Sequence, residues 1–270
     1  MSSHFERNDR KKGWEPNREA GKKPFRNKPV ARESAPTSDW LWGFHAIEGA
    51  LNNPARPAPK RVLATPDRAK RLTEEYGVKG VEIVDAALIT RQLPQGAVHQ
   101  GMAMRIDPPS PLSVAELGEN PAGVIVMLDQ ITDPQNVGAI FRSAAAFGAR
   151  GIILQDRHSP ALAGGVAKAA VGAIDRLPHV LAVNLSRALE QLADLGWRAV
   201  GLDGSATQTL DQVLDGAPTV LVMGSEGDGI RRLVAEHCDV LAKIPMPGGM
   251  ESLNVSAAAA VALYEVSRPR

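Results

Sequence analysis

The chain has 270 residues, enough for one or two domains, and 44% of them are apolar, enough for a sizeable core. A formal net charge of +1 excludes a polycation, so any nucleic-acid surface has to be local. The only cysteine, Cys238, excludes a disulfide framework and a Cys-based metal site and points to a reducing, cytoplasmic compartment. No apolar run reaches membrane-spanning length and the N-terminus lacks a signal-peptide core.

Residues 1–38 form a polar tail with ten Lys or Arg against five Asp or Glu and almost no aliphatic side chains. Such a segment buries too little apolar surface to order itself. Two readings stand side by side: a solubilising tail, or an RNA-contacting arm in which Trp14 and Phe25 stack on bases.

Residues 39–107 read as a small α/β unit. LWGFHAIEGALNN predicts a short helix with Ala46, Ile47, Ala50 and Leu51 on one face. RVLAT predicts a strand, DRAKRLTEEYG a helix closed by Gly77, VEIVD a strand, AALITRQL a helix and GMAMRI a strand. His45 and His99 have no cysteine or acidic cluster at metal-ligand spacing, so no metal is expected. Residues 108–122 are Pro-rich and predict a linker.

From Val124 onward the pattern is strongly α/β. VIVML lacks alternation, as a strand buried on both faces does. Asn136–Phe147 predicts a helix with Asn136 as N-cap and Gly148 just beyond its end. GIIL, HVLAV, WRAVGL, TVLVM and Val240–Ile244 predict strands, and NLSRALEQLADLG a helix; ALAGGVAKAAVGAI is ambiguous. This alternation predicts a mostly parallel sheet flanked by helices, with sites at the carboxyl ends of strands.

Three of the loops after strands carry special residues. The first leads from Leu128 into the Asn136 helix, where Arg142 sits on an otherwise apolar segment. Its guanidinium fork suits a phosphate or carboxylate; a structural ion pair is the alternative. The second, Met223-Gly224-Ser225-Glu226-Gly227, ends a buried strand but is neither a dinucleotide fingerprint nor a Walker loop. The third, IPMPGGMESLNVSAAAA, packs two prolines and two glycines between a strand and an Ala-rich helix. Ser252 and Asn254 are candidate N-caps there, and Gly248 and Gly249 would let backbone approach a bulky ligand.

Together these three loops resemble the motifs of the SpoU (TrmH) family of RNA ribose 2′-O-methyltransferases, within the SPOUT class. The patterns N-x-G-A-x-x-R-S, G-x-E-x-x-G and P-M-x-G-x-x-x-S-L-N-V-S-x-A stand here almost unchanged, within Val124–Arg268. GFHAIEGAL and VHQGMAM are similar to the substrate-binding domain of the subgroup that methylates a guanosine of large-subunit (23S) ribosomal RNA. The resemblance implies a trefoil-knotted α/β catalytic domain over 123–270, an RNA substrate-binding domain over 39–107, and a homodimer with the active site at its interface. It implies S-adenosyl-L-methionine as cofactor, lined by Gly224, Ile244 and Leu253, with Leu202–Gly204 near it.

For catalysis it implies Arg142, with Asn136, Glu226, Ser252 and Asn254 fixing the arginine, the loop backbone and the ribose. The family proposal makes Arg142 the base; gripping a phosphate and polarising the hydroxyl is the alternative, because a guanidinium keeps its proton in proteins. Rival classes are a non-catalytic RNA-binding assembly factor and a dinucleotide-dependent oxidoreductase. The first leaves the intact motif residues unexplained and the second lacks its fingerprint. Within the enzyme class, the alternative substrate is a guanosine of transfer RNA.

Overall fold

The computed structural model describes residues 39–268, so the basic tail lies outside the described residues. The chain opens with β1 (Trp40–Trp42), α1 (Phe44–Leu51), β2 (Arg61–Ala64), α2 (Pro66–Tyr76), β3 (Val81–Ile83), α3 (Ala86–Gln92) and β4 (Met102–Arg105). These build a four-stranded sheet of order β1-β4-β2-β3, in which only the β2–β3 pair is parallel. Trp40–Trp42 is therefore a strand, not the start of the α1 helix. Leu41 pairs with Met104, and Gly43 at φ 83°, a conformation open to glycine, turns the chain from strand into helix. Gly77 closes α2 in the left-handed conformation, as its position in the sequence predicts.

The Pro-rich segment 108–122 is more structured than a plain linker. It carries α4 (Val114–Gly118), begun by a capping box between Ser113 and Glu116, and buries Leu117. Trp197 donates its indole N–H to the Gly118 carbonyl at 2.8 Å, and Arg150 donates to the carbonyls of Leu117 and Glu119. A one-turn helix hidden among prolines is held by these contacts, which periodicity does not reveal.

Then follow β5 (Val124–Leu128), α5 (Pro134–Ala146), β6 (Gly151–Gln155), α6 (Gly164–Ala170), a 3-10 turn (Ala173–Asp175), β7 (His179–Ala182), α7 (Leu185–Asp194), β8 (Arg198–Leu202), α8 (Leu210–Val213), β9 (Thr219–Met223), α9 (Arg232–Ala235), β10 (Val240–Ala242) and α10 (Val255–Ser267). The six strands order as β10-β8-β9-β5-β6-β7, every pair parallel. β5, β6 and β9 are buried along their whole lengths, which is why their sequences are apolar without alternation. Two expected boundaries move. The cap of α5 is Asp133, whose carboxylate accepts from the amides of Gln135 and Asn136, with Pro134 at the first helical position. β10 ends at Ala242, because the Lys243 amide turns aside to the Gln208 carbonyl.

The two sheets meet across a buried ion pair. Arg56 and Asp175 are 2% and 3% exposed, with Nε–Oδ1 at 2.6 Å and Nη2–Oδ2 at 3.1 Å. Asn53 donates to the same carboxylate, and Arg56 also donates to the Asp107 carbonyl. Nearby, Gly49 lies so close to Gly172 that a Cβ on it would stand 2.8 Å from the Gly172 Cα. Removing one partner of such a pair strands the other charge in a dry site.

His179 is buried beside this pair. Burial, with the Arg56 cation adding to it, depresses its imidazole from the ordinary 6.5 to about 4. The folded state thus keeps His179 neutral where the unfolded chain takes up a proton. Its contribution to stability is complete above pH 6.5 and is lost as pH falls through about 4, on the order of 3 kcal/mol in all. Denaturant unfolding of wild type and His179→Gln at pH 7.5, 6, 5 and 4 checks this. The difference between the two should shift toward the variant across that window; parallel curves would show that His179 does not titrate differently on folding.

Candidate active site

A cavity of about 570 Å³ opens at the carboxyl ends of β8, β9 and β10. Leu202, Asp203 and Gly204 enter it from the end of β8, Met223 and the 224–229 loop from β9, and Ile244, Met246, Ser252 and Leu253 from the third loop. Its walls are apolar at Met223, Ile244, Leu253 and Ala258, and carry carboxylates at Asp203, Glu226, Asp228 and Glu251. The volume suits a ligand of cofactor size.

The 224–229 loop is a tight hairpin. Ser225 and Gly229 exchange both backbone hydrogen bonds, each at 3.1 Å, and Gly229 takes φ 67°. The hairpin is held to the sheet by Asp129, a wholly buried carboxylate just past β5. Asp129 accepts from the Arg231 backbone at 2.9 Å and from its guanidinium at 2.8 Å.

At the tip of the hairpin, Glu226 Oε1 accepts three hydrogen bonds: from Asn136 Nδ2 at 3.2 Å, Asn254 Nδ2 at 2.7 Å and the Val255 amide at 3.0 Å. Asn254 Nδ2 also reaches Asn136 Oδ1 at 2.9 Å. Asn254 Oδ1 caps α10, accepting from the amides of Ser256 and Ala257. Glu226 thereby places negative charge against the N-terminus of a thirteen-residue helix, where it is favoured. One residue from each of the three special loops meets at this point.

Residues 123–264 match the sequence model of the SpoU rRNA Methylase family. The chain belongs to this family. It is 41% identical over 249 residues to the 23S rRNA (guanosine-2′-O-)-methyltransferase RlmB of Pseudomonas aeruginosa, covering 86% of this chain and 98% of that one. It is 40% identical over 213 residues to an uncharacterized tRNA/rRNA methyltransferase of Mycolicibacterium vanbaalenii, covering 76% and 68%. Among solved structures, the SpoU methyltransferase AviRb from Streptomyces viridochromogenes superposes with a TM-score of 0.72 at 23% identity, covering 84% of this chain and 88% of that one. That likeness establishes the fold.

Within this SpoU chain, the expected site residues divide. Gly224, Glu226, Ile244, Ser252 and Leu253 line the cavity, as do Leu202–Gly204. Asn136 and Asn254 stand behind it, joined through Glu226. Arg142 lines a different groove, with Ala145, Ala149 and Arg176, and is exposed. Among the described residues it makes no ion pair or side-chain hydrogen bond, which leaves the structural-pair alternative without a partner. Sequence reasoning missed Asp129; the signal was a charged residue directly after five apolar ones. It also missed Met246 and Glu251 as lining residues, because loop residues without periodicity carry no address. Cys238 is half-enclosed and its thiol is pushed up to about 12, by burial first and then by Asp239 and Asp129, so it is inert. Among the described residues no group of three or more His, Cys, Asp or Glu is placed to hold a metal. Among the described residues no helix is long and apolar enough to cross a membrane.

Gly224 and Gly249 have reasons other than a ligand, while nothing in the fold demands glycine at 248. A Cβ on Gly224 would stand 2.0 Å from the Gly229 carbonyl carbon and 2.2 Å from the Ile230 nitrogen, so the hairpin itself demands glycine. Gly249 takes φ 75°, and a Cβ on Gly248 would meet no other atom within 4 Å. Gly224→Ala should therefore open the hairpin even without ligand. Amide exchange over residues 224–231 should accelerate in the free variant relative to wild type. Unchanged exchange there, with ligand binding lost, would restore a clash with the ligand as the cause.

Proposed function

We propose that this protein transfers a methyl group from S-adenosyl-L-methionine to a ribose 2′-hydroxyl of RNA, with a guanosine of 23S ribosomal RNA as target. The observation that carries the reading is the convergence of three motif loops on Glu226 beside a cavity of ligand size. Near-full-length identity of 41% with RlmB supports the choice of RNA. AviRb has been crystallised with the same cofactor.

The cavity fits that cofactor in its donor set. Met223, Ile244, Leu253 and Ala258 offer apolar walls for a flat base, and the hairpin offers backbone groups for hydrogen bonds. Asp203 and Glu251 face a positively charged ligand. When bound, S-adenosyl-L-methionine supplies an electrophilic methyl on a cationic sulfur. Gly224, Ile244 and Leu253 hold it; Asn136, Glu226 and Asn254 keep the loops in register; Ser252 faces the ribose. Arg142 grips an RNA phosphate and polarises the 2′-hydroxyl, the role its fork and fixed charge suit.

In this reading residues 39–107 hold the RNA, 108–122 connect, 123–270 form the knotted methyltransferase unit, and the basic tail adds a footing on RNA in the cytoplasm. Arg142 and the cavity have separate linings within one chain, so the reading takes a second copy to complete the site. An exposed apolar stripe on α10, Ala257, Val261 and Tyr264, supports a homodimer.

Calorimetry with S-adenosylhomocysteine should show binding to wild type, Arg142→Ala and Arg142→Lys alike. Single-turnover methylation of ribosomal and transfer RNA transcripts should fall on the order of 10²-fold or more for both variants. Mixing Arg142→Ala with a cavity-filled Leu253→Trp should restore part of the activity, since one site of each mixed dimer is intact. Full activity in Arg142→Ala would end the role given to it; no recovery on mixing would confine the site to one chain; a preference for transfer RNA would move the substrate.

A further inference from the structure

A groove of about 350 Å³ runs between the C-terminal half of α5 and the end of α6 with its 3-10 turn. Ala145, Ala149, Ala170 and Val171 form its floor, and Arg142 and Arg176 reach it from different segments. Both arginines are exposed, and among the described residues neither makes an ion pair or a side-chain hydrogen bond. Arg61, Arg71, Arg105, Arg198, Arg231 and Arg232 each pair with a carboxylate, and the other described arginines with neither an ion pair nor a side-chain hydrogen bond, Arg68, Arg91, Arg157 and Arg187, do not line this groove. Two unpaired guanidinium groups over one apolar floor repel each other until an anion lies between them, and the low-dielectric walls focus their field.

The groove is held in shape. A Cβ on Gly138 would lie 2.5 Å from the Ala169 Cβ and 2.6 Å from the Val166 carbonyl, so glycine sets the close spacing of α5 and α6. Asp175 is locked by Arg56, and the Arg176 amide closes the turn onto the Ala173 carbonyl at 3.1 Å. Arg176 is thus presented by a fixed base. Val171 keeps φ 53°, an unfavourable conformation for a β-branched residue; such strain clusters at ligand clamps.

We infer that Arg176 is a second phosphate-gripping residue, and that the groove between it and Arg142 holds the RNA backbone beside the target ribose. This rests on Arg142 as a phosphate grip. Charge complementarity selects a polyanion, and the planar forks suit phosphate. The alanine floor offers no side-chain donors to base edges, so the groove positions the strand without reading its sequence.

The test is binding of an in vitro transcript of large-subunit ribosomal RNA over a range of salt. Arg176→Ala should lower the slope of log K against log salt by about one, and Arg176→Lys should restore it. KM for the transcript should rise while kcat and S-adenosylhomocysteine binding hold. Arg232→Ala, on the remote α9, should leave the slope unchanged. If Arg176→Ala does not fold, Arg176→Gln keeps the stem and repeats the measurement. A wild-type slope in the folded variant overturns the inference while wild-type methylation leaves the enzymatic reading intact. A change in oligomer mass in place of RNA affinity would assign the groove to a subunit contact and overturn it too. Failure of wild type to methylate or bind the transcript would sink both.

Discussion

One carboxylate oxygen joins the three segments that make this site. Glu226 Oε1 draws in Asn136, 90 residues earlier, and Asn254, 28 residues later. Each acceptor bond is charge-assisted, and the Val255 amide adds the pull of a helix start. Neither asparagine can be replaced by an aspartate without putting two carboxylates together. The start of α5, the hairpin after β9 and the start of α10 are thereby fixed relative to one another, and the cavity walls with them. The arrangement depends in turn on Asp129: its buried charge is matched by Arg231, which anchors the hairpin that presents Glu226.

Rigidity here comes from close approach of backbone as much as from hydrogen bonds. Gly224 folds the hairpin onto its own far strand, Gly138 brings α5 onto α6, and Gly49 meets Gly172 between the two sheets. At these places a methyl group would push backbone apart, and the displaced parts are those that carry Glu226, Arg142 and Asp175. The positions of these three side chains are thus set by residues with no side chain at all.

How far the sequence discloses this depends on the kind of signal. β5 and β9 are legible because a strand buried on both faces must be apolar throughout. The three loops are legible because prolines, glycines and polar caps crowd where a plain turn needs few. β1 is not, since three residues abutting a helix give no period. α4, α8 and α9 are one-turn elements fixed by capping and tertiary contact, below the reach of pattern. The α5 start lies three residues before the expected Asn136 because Asp133 and Asn136 are both good caps, and only the structure shows Asn136 spent on Glu226. A glycine reads as permission for close approach, but not by what: at Gly224 it is the hairpin's own backbone.

The distribution of charge completes the argument. A net charge of +1 conceals opposite local fields. The cavity gathers Asp203, Glu226, Asp228 and Glu251 against a single lysine, Lys243. The groove on the far face of α5 gathers Arg142 and Arg176 and no carboxylate. A cationic small molecule and a polyanionic chain would each be drawn to its own side and repelled from the other. Had the arginines lined the cavity itself, they would have neutralised the carboxylates and competed with the small ligand. Placing them on the opposite wall of one helix keeps both fields strong. Helix α5, with Asn136 at its start bonded to Glu226 and Arg142 nearly two turns later in the groove, is the element that separates the two charged surfaces and ties them to one body.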